Sequence, residues 1–433
     1  MKREAMKDLV KWKELSDRKP LILHGARQVG KTWLMKEFGK TNFESYAYIN
    51  CDNNTPIRNL FKDNFDLDRI ITGLELEAKT RIVPDKTLLI LDEVQEVPEA
   101  LSSLKYFQEN VPQIPIIAAG SLLGVSLHQG TSFPVGKVTF LDLYPLSFRE
   151  FLGALGKDDF CKILDHQDWA LMTSFHLPLV DLLKHYYYIG GMPASVNAFS
   201  KNKNYDEVRE IQLDILQAYE KDFSKHPPHA LIPRLKQLWN SIPSQLAKEN
   251  RKFIYKLIRS GARAREYELA MMWLSDCGLI HKINKITKPS IPPKAYEDIN
   301  IFKLFLLDIG LLGAMNQLES KTLLQGNTLF GEYKGALTEQ YVLQQLISAK
   351  CGSVHYWSAD NGSAEVDFVV TIKDQLIPIE VKAEENLQAK SLKVYHSLYQ
   401  PELTIRTSMS SYRKESWLTN IPLYAIGWLP SIV

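Results

Sequence analysis

The sequence predicts an α/β protein of several folding units: a parallel sheet flanked by helices at the N-terminus, a helical middle, and a second, mixed α/β unit at the C-terminus. Three observations predict it. A short apolar run passes through a glycine-rich loop into a helix-prone stretch at residues 20–40. A continuous apolar run ends in the carboxylates of Asp92 and Glu93, and residues 365–382 alternate as two strands around a turn. With 433 residues and about 150 per domain, the chain has room for roughly three cores.

Composition narrows the class. The chain is 45% hydrophobic and 24% charged, which excludes disordered and collagen-like sequences. A net charge of +2 gives no general attraction to polyanions, so any such site is local. Cys51, Cys161, Cys277 and Cys351 lie far apart with no CxxC pair, so neither a disulfide framework nor a zinc site is written, and a reducing, cytoplasmic setting is expected. The basic start lacks a signal-type apolar core and every apolar run is too short to span a bilayer, so no membrane is expected as a partner.

The first element is the run Pro20 to His24, followed by Gly25-Ala26-Arg27-Gln28-Val29-Gly30-Lys31-Thr32 and a helix-prone stretch. All fixed positions of the phosphate-binding loop, G-x4-GK[ST], are filled. Glycines let backbone N–H groups turn toward phosphates, Lys31 reaches the β- and γ-phosphates, the Thr32 hydroxyl holds Mg²⁺, and the helix start adds its dipole. ATP and Mg²⁺ are therefore the expected ligands. Leu88 to Leu91 reads as a central strand buried on both faces, ending in Asp92, expected to orient the magnesium shell, and Glu93, expected to polarise the attacking water. A third strand, 114–119, ends in Gly120-Ser121, where Ser121 is either a sensor of the γ-phosphate or the cap of the next helix. Arg149, in LYPLSFREFL, is either an ordinary ion-pair arginine or a finger given to a neighbouring subunit of a homo-oligomer.

Together GARQVGKT, LLILDE, AAGSLLG and LYPLSFREFL, then YYYIGGMPASV, LLDIGLLG and EVDFVV…IPIEVKA, resemble the prokaryotic AAA-type ATPases that carry a C-terminal domain of unknown function numbered 4143. The resemblance covers nearly the whole chain. It implies an ATPase core, a winged-helix segment and a nuclease-like C-terminal domain.

Residues 158–225 read as a helical lid or connector broken at Gly190 to Pro193, with Tyr186, Tyr187 and Tyr188 either packing in a core or stacking bases. Residues 226–295 read as three helical patterns and a strand, the order of a winged helix. Its stretch 251–265 holds Arg251, Lys252, Lys256, Arg259, Arg263 and Arg265 with no acid, which suits either a DNA or RNA phosphate backbone or an acidic face of another domain. The ATPase unit is placed at 1–157 and the last unit at 296–433.

In that last unit, strand alternation puts Glu380 and Lys382 on one side of the hairpin, where Asp367 of the partner strand meets them. The set resembles the PD-(D/E)xK motif of restriction-endonuclease-like folds, whose two carboxylates (here Asp367 and Glu380) hold Mg²⁺ and whose lysine (here Lys382) positions water. Glu339, on a preceding helix buried through Leu337, Val342, Leu343 and Leu346, matches the additional acid of that fold. Whether the site cuts nucleic acid or only binds a partner stays open.

Overall fold

The apolar runs of the N-terminal segment form five parallel strands, β1 (Leu21–His24), β2 (Ser45–Asn50), β3 (Thr87–Asp92), β4 (Ile116–Ala119) and β5 (Thr139–Asp142), in the order β2-β3-β4-β1-β5. The computed structural model describes residues 1–433 except 63–64, 121–133, 248–251, 326–330, 361 and 385–387. Residues Lys2–Tyr144 with Met272–Leu279 make one unit, and Pro145–Met271 with Ile280–Val433 another.

In the first unit β3 is buried along its whole length, the burial that its unbroken apolar run requires. Leu89 and Leu91 pack with Ile22, Ile49 and Ala118 against Ile70 and Leu74 of the helix Leu67–Ala78 and Leu101 and Leu104 of the helix Pro98–Asn110. The strand expected from residue 114 begins at Ile116. Pro115 has no N–H for the ladder, but its carbonyl accepts from the Leu89 N–H at 2.9 Å. Because the strands are parallel and β4 lies between β1 and β3, the loop after β1 and the carboxylates after β3 share the C-terminal edge of the sheet, where such sheets bind ligands.

The second unit opens with helices Phe148–Ala154, Asp158–Asp165, Trp169–Ser174, His176–Ile189, Pro193–Asn202 and Tyr205–Lys225. Tyr186, Tyr187 and Tyr188 are buried and pack with Phe148, Phe151, Tyr205 and Tyr341, so they are core residues. Next come the helix Ile232–Leu246, one 3-10 turn at Tyr255–Leu257, and the helix Ala264–Asp276. Two strands follow, β6 (Ile280–Ile286) and β7 (Glu297–Leu306), paired antiparallel.

Those two strands continue into one mixed sheet, β12-β13-β11-β10-β9-β8-β6-β7, with β8 (Val354–Ser358), β9 (Glu365–Ile372), β10 (Gln375–Val381), β11 (Ile405–Ser408), β12 (Arg413–Lys414) and β13 (Thr419–Pro422). The hairpin expected at 365–382 is β9-β10. Its turn has two residues, Lys373 and Asp374, with φ of 47° and 62°, the double positive φ of a tight hairpin turn. Gln375 lies outside the turn and pairs with Ile372. The helix Gly331–Ser348 is buried on more faces than an amphipathic reading allows, because Gln340, Gln344 and Gln345 are buried with Leu337 and Val342. Each glutamine serves a backbone end: Gln340 bonds the Leu306 N–H and carbonyl, Gln344 accepts from Ile309, and Gln345 accepts from Phe148.

Asp308 ties the segments YYYIGG and LLDIG together. Its fully buried carboxylate accepts from the Gly191 N–H at 2.6 Å, Gln344 Nε2 at 2.9 Å and the Leu311 N–H at 3.1 Å. A side chain at residue 191 would overlap the Leu146 backbone, so the close approach needs Gly191. Asp308→Ala orphans three buried donors and should lower unfolding stability by about 3 kcal/mol or more. Urea denaturation checks this, and a midpoint within error of wild type would refute the role.

Candidate functional site

At the edge of the parallel sheet the phosphate-binding loop, Gly25 to Thr32, joins β1 to the helix Lys31–Asn42. Gly25 passes so close to the Leu143 carbonyl that a Cβ there would overlap it, which explains the glycine at that position. Lys31 is buried and its ammonium turns back on the loop, donating to the carbonyls of Gly25 at 2.7 Å and Ala26 at 2.8 Å. Burial lowers its pKa to about 8, opposed by the Glu93 and Asp92 carboxylates and assisted by Arg27.

Thr32 and Asp92, 60 residues apart, meet directly: Thr32 Oγ1 donates to Asp92 Oδ2 at 2.6 Å. Tyr48, on β2, donates to the same oxygen at 3.1 Å, and the Glu93 N–H donates to Oδ1 at 3.1 Å. Glu93 sits in a left-handed conformation with φ of 52°, and its Oε2 accepts from Gln95 Nε2 at 2.7 Å. Arg3 Nη1 donates to the Val29 carbonyl at 2.8 Å and supports the loop from behind. The sequence reading missed Tyr48, Gln95 and Arg3. Neither Tyr48 nor Arg3 leaves a local signal, because each contact depends on which distant segments the fold brings together. Ser121 lies outside the described residues. Arg149 forms a two-pronged pair with Asp165, at 3.0 and 2.7 Å, and Trp428 Nε1 holds Asp165 Oδ1 at 2.7 Å. This is the ion-pair arrangement, within the chain.

In the second unit the hairpin brings Asp367, Glu380 and Lys382 together. The Val381 N–H donates to Asp367 Oδ2 at 2.8 Å, and Lys382 Nζ lies 2.8 Å from Glu380 Oε1. Glu380 is buried, and burial first, then the Asp367 carboxylate, pushes it up to about 7, against Lys382 and Lys303. Glu339 also comes to this place through a residue the sequence reading passed over. Lys303, on β7, lies 2.7 Å from Glu365 Oε1, 3.7 Å from Glu339 Oε2 and 3.9 Å from Asp367 Oδ1. Its ammonium also stands 4.9 Å from the Tyr356 ring centre. A signal existed: Lys303 is the single charge in the run IFKLFLL, and a lone charge in a buried strand needs a partner. Among the described residues no group of three or more His, Cys, Asp or Glu is arranged to hold a metal ion.

Residues 17–152 match the AAA domain family and residues 334–426 the domain of unknown function DUF4143. The chain carries an AAA domain at its N-terminus and a DUF4143 domain at its C-terminus. Residues 180–322, between them, match the domain of unknown function DUF8612, so Lys303 comes from one matched segment and the acids 339–380 from another. No curated protein matches the chain. Solved structures similar to it include a Walker-type ATPase of Pyrococcus abyssi, at 14% identity over 73% of this chain and 95% of that one, with a TM-score of 0.46. The Orc1 protein of Aeropyrum pernix in complex with DNA follows at 12% identity over 73% and 93%, TM-score 0.29. Cdc6p from Pyrobaculum aerophilum stands at 13% identity over 74% and 92%, TM-score 0.25. Among the described residues no helix is long and apolar enough to cross a membrane.

The AAA domain supports ATP binding and ATPase activity, and its Lys31 sets a pH dependence. In the free chain Lys31 titrates at about 8, whereas a triphosphate beside the ammonium returns it toward the ordinary lysine value of about 10.4. Between these values binding takes up a proton, so nucleotide affinity falls as pH rises through that window. Calorimetry at about pH 8.5 in buffers of different ionisation heat should record uptake approaching one proton, and a buffer-independent enthalpy would refute it.

Proposed function

We propose that the AAA domain is a Mg²⁺-dependent ATP-hydrolysing switch coupled to a C-terminal domain of PD-(D/E)xK-like geometry that acts on nucleic acid. The observation that carries the ATPase half is the 2.6 Å bond from Thr32 to Asp92. It joins the phosphate loop to the end of β3 in a pair of hard oxygen donors that suits Mg²⁺. When bound, the ion neutralises charge between the β- and γ-phosphates. The backbone of Gly25 to Gly30 cradles the phosphates, Lys31 exchanges its loop carbonyls for them, and Glu93 orients the attacking water. Gln95 fixes the Glu93 carboxylate, and Tyr48 orients Asp92.

The nucleic-acid half rests on the exposed side chains of Lys256, Arg263, Arg265 and Lys288. Arg259 is paired with Glu266 at 2.8 Å and adds less. Lys252 belongs to the same stretch, whereas Arg251 lies outside the described residues. We place the domain boundaries at 157, 225 and 295, with 226–295 as the winged-helix segment. A second reading, in which the C-terminal domain captures a protein partner without cutting, is favoured by Lys303 among the carboxylates.

Lys31→Ala should abolish ATP hydrolysis, and Glu93→Gln should cut the rate by about 10²-fold or more while nucleotide stays bound. Steady-state phosphate release and nucleotide binding measure both, and wild-type turnover in Lys31→Ala would remove the assignment. Replacing Lys256, Arg263 and Arg265 together by alanine should weaken binding to DNA or RNA and flatten its dependence on log salt by about 0.7–0.9 per lost phosphate contact. An unchanged slope would point to the protein-partner reading.

A further inference from the structure

We propose that the Lys303 ammonium is a built-in cation that takes the place of a divalent metal in the C-terminal carboxylate cluster, which therefore works without metal. The PD-(D/E)xK-like reading implies an ion held by Asp367 and Glu380, and the residues present do not fit one. Lys303 is 1% exposed, and its ammonium faces Glu365, Glu339 and Asp367 at 2.7, 3.7 and 3.9 Å. These are distances at which one positive charge serves three carboxylates. Two further oxygens are engaged: Asp367 Oδ2 takes the Val381 N–H and Glu380 Oε1 takes Lys382. A divalent ion entering here would meet two ammonium groups at short range and would have to displace at least one of them.

One side-chain atom points to a vacant cation-binding capacity. Glu380 is 6% exposed, yet its Oε2 has no hydrogen-bond partner. That oxygen is an unused ligand in a cluster of four carboxylates, so removing the Lys303 charge should open a site for a hard divalent cation. The position of Lys303 makes it a fixture of the fold. It lies on β7, in the same sheet as β9 and β10, with its ammonium against the face of Tyr356.

The inference rests on the PD-(D/E)xK-like reading of the C-terminal domain and is independent of ATP hydrolysis. Mn²⁺ binding to the full nucleotide-free chain, followed by paramagnetic resonance, tests it in wild type, Lys303→Met, Asp367→Asn and the double variant. Wild type and Asp367→Asn should bind Mn²⁺ alike. Lys303→Met should gain one site at least about tenfold tighter than any in wild type, lost again in the double variant. A wild-type site that disappears in Asp367→Asn overturns the proposal, as does a folded Lys303→Met with no gained site. If Lys303→Met does not fold, the wild-type and Asp367→Asn comparison decides alone: equal binding supports the proposal and an Asp367-dependent site overturns it. A separate measurement, cleavage of DNA or RNA by wild type in Mg²⁺ or Mn²⁺, keeps failure of this inference distinct from failure of the PD-(D/E)xK-like reading. Asp367-dependent cleavage overturns the inference and upholds the reading.

Discussion

A charge taken out of water costs several kcal/mol unless opposite charge or well-placed dipoles replace the lost hydration, and this constraint organises both sites and the core between the helices of the second unit. Lys31, Lys303, Asp308 and Arg406 are all buried, and each has a different solution. Lys31 uses two backbone carbonyls. Lys303 uses carboxylates. Asp308 uses backbone and amide N–H groups, and Arg406 combines Asn420 at 2.9 Å with Glu415 at 3.0 Å. The nature of the partner decides what each group is free to do.

The Asp308 solution explains why two glycine-containing segments more than a hundred residues apart carry so much of the sequence's character. A carboxylate with no cation nearby is stable only if its lone pairs are filled, and backbone N–H groups reach it only where no side chain intervenes. Gly191 meets that need, and the helix Gly331–Ser348 contributes Gln344. The same helix shows why amphipathic periodicity is an incomplete guide to burial. Its glutamines are inside because β7 and the helices beside it end in backbone groups that need partners.

Much of the ATPase unit was legible because its signals are local. The loop is one contiguous run of eight residues, and β3 declares itself by an apolar stretch that stops at a carboxylate. The hairpin β9-β10 was legible for the same reason, since two-residue alternation and a short polar turn determine which side chains share a face. What was not legible depends on pairing across long separations. Tyr48 reaches Asp92 only because β2 lies beside β3. Lys303 reaches Glu365 and Asp367 only because β6, read as part of a winged helix, pairs with β8 on one side and β7 on the other and so joins the sheet of the last unit. Motif spacing within 365–382 carries no information about a lysine on β7.

The contrast between Lys31 and Lys303 separates an exchangeable site from a closed one. The partners of Lys31 are neutral carbonyls, so a triphosphate offers its ammonium a stronger interaction than the one it gives up, and the loop is left free to turn its N–H groups to the same ligand. The partners of Lys303 already carry full negative charge and are fixed by a strand, a hairpin and a buried helix. Two unit charges about 4 Å apart interact by about 4 kcal/mol at an effective dielectric constant of about 20, and a divalent ion doubles the repulsion that an ammonium presents to it. An incoming Mg²⁺ would gain the same carboxylates that Lys303 holds, but only after losing its water shell, which magnesium gives up reluctantly. The tethered lysine has no such shell left to lose, so the balance at the C-terminal cluster lies with the ammonium, as at the phosphate loop it lies with the nucleotide.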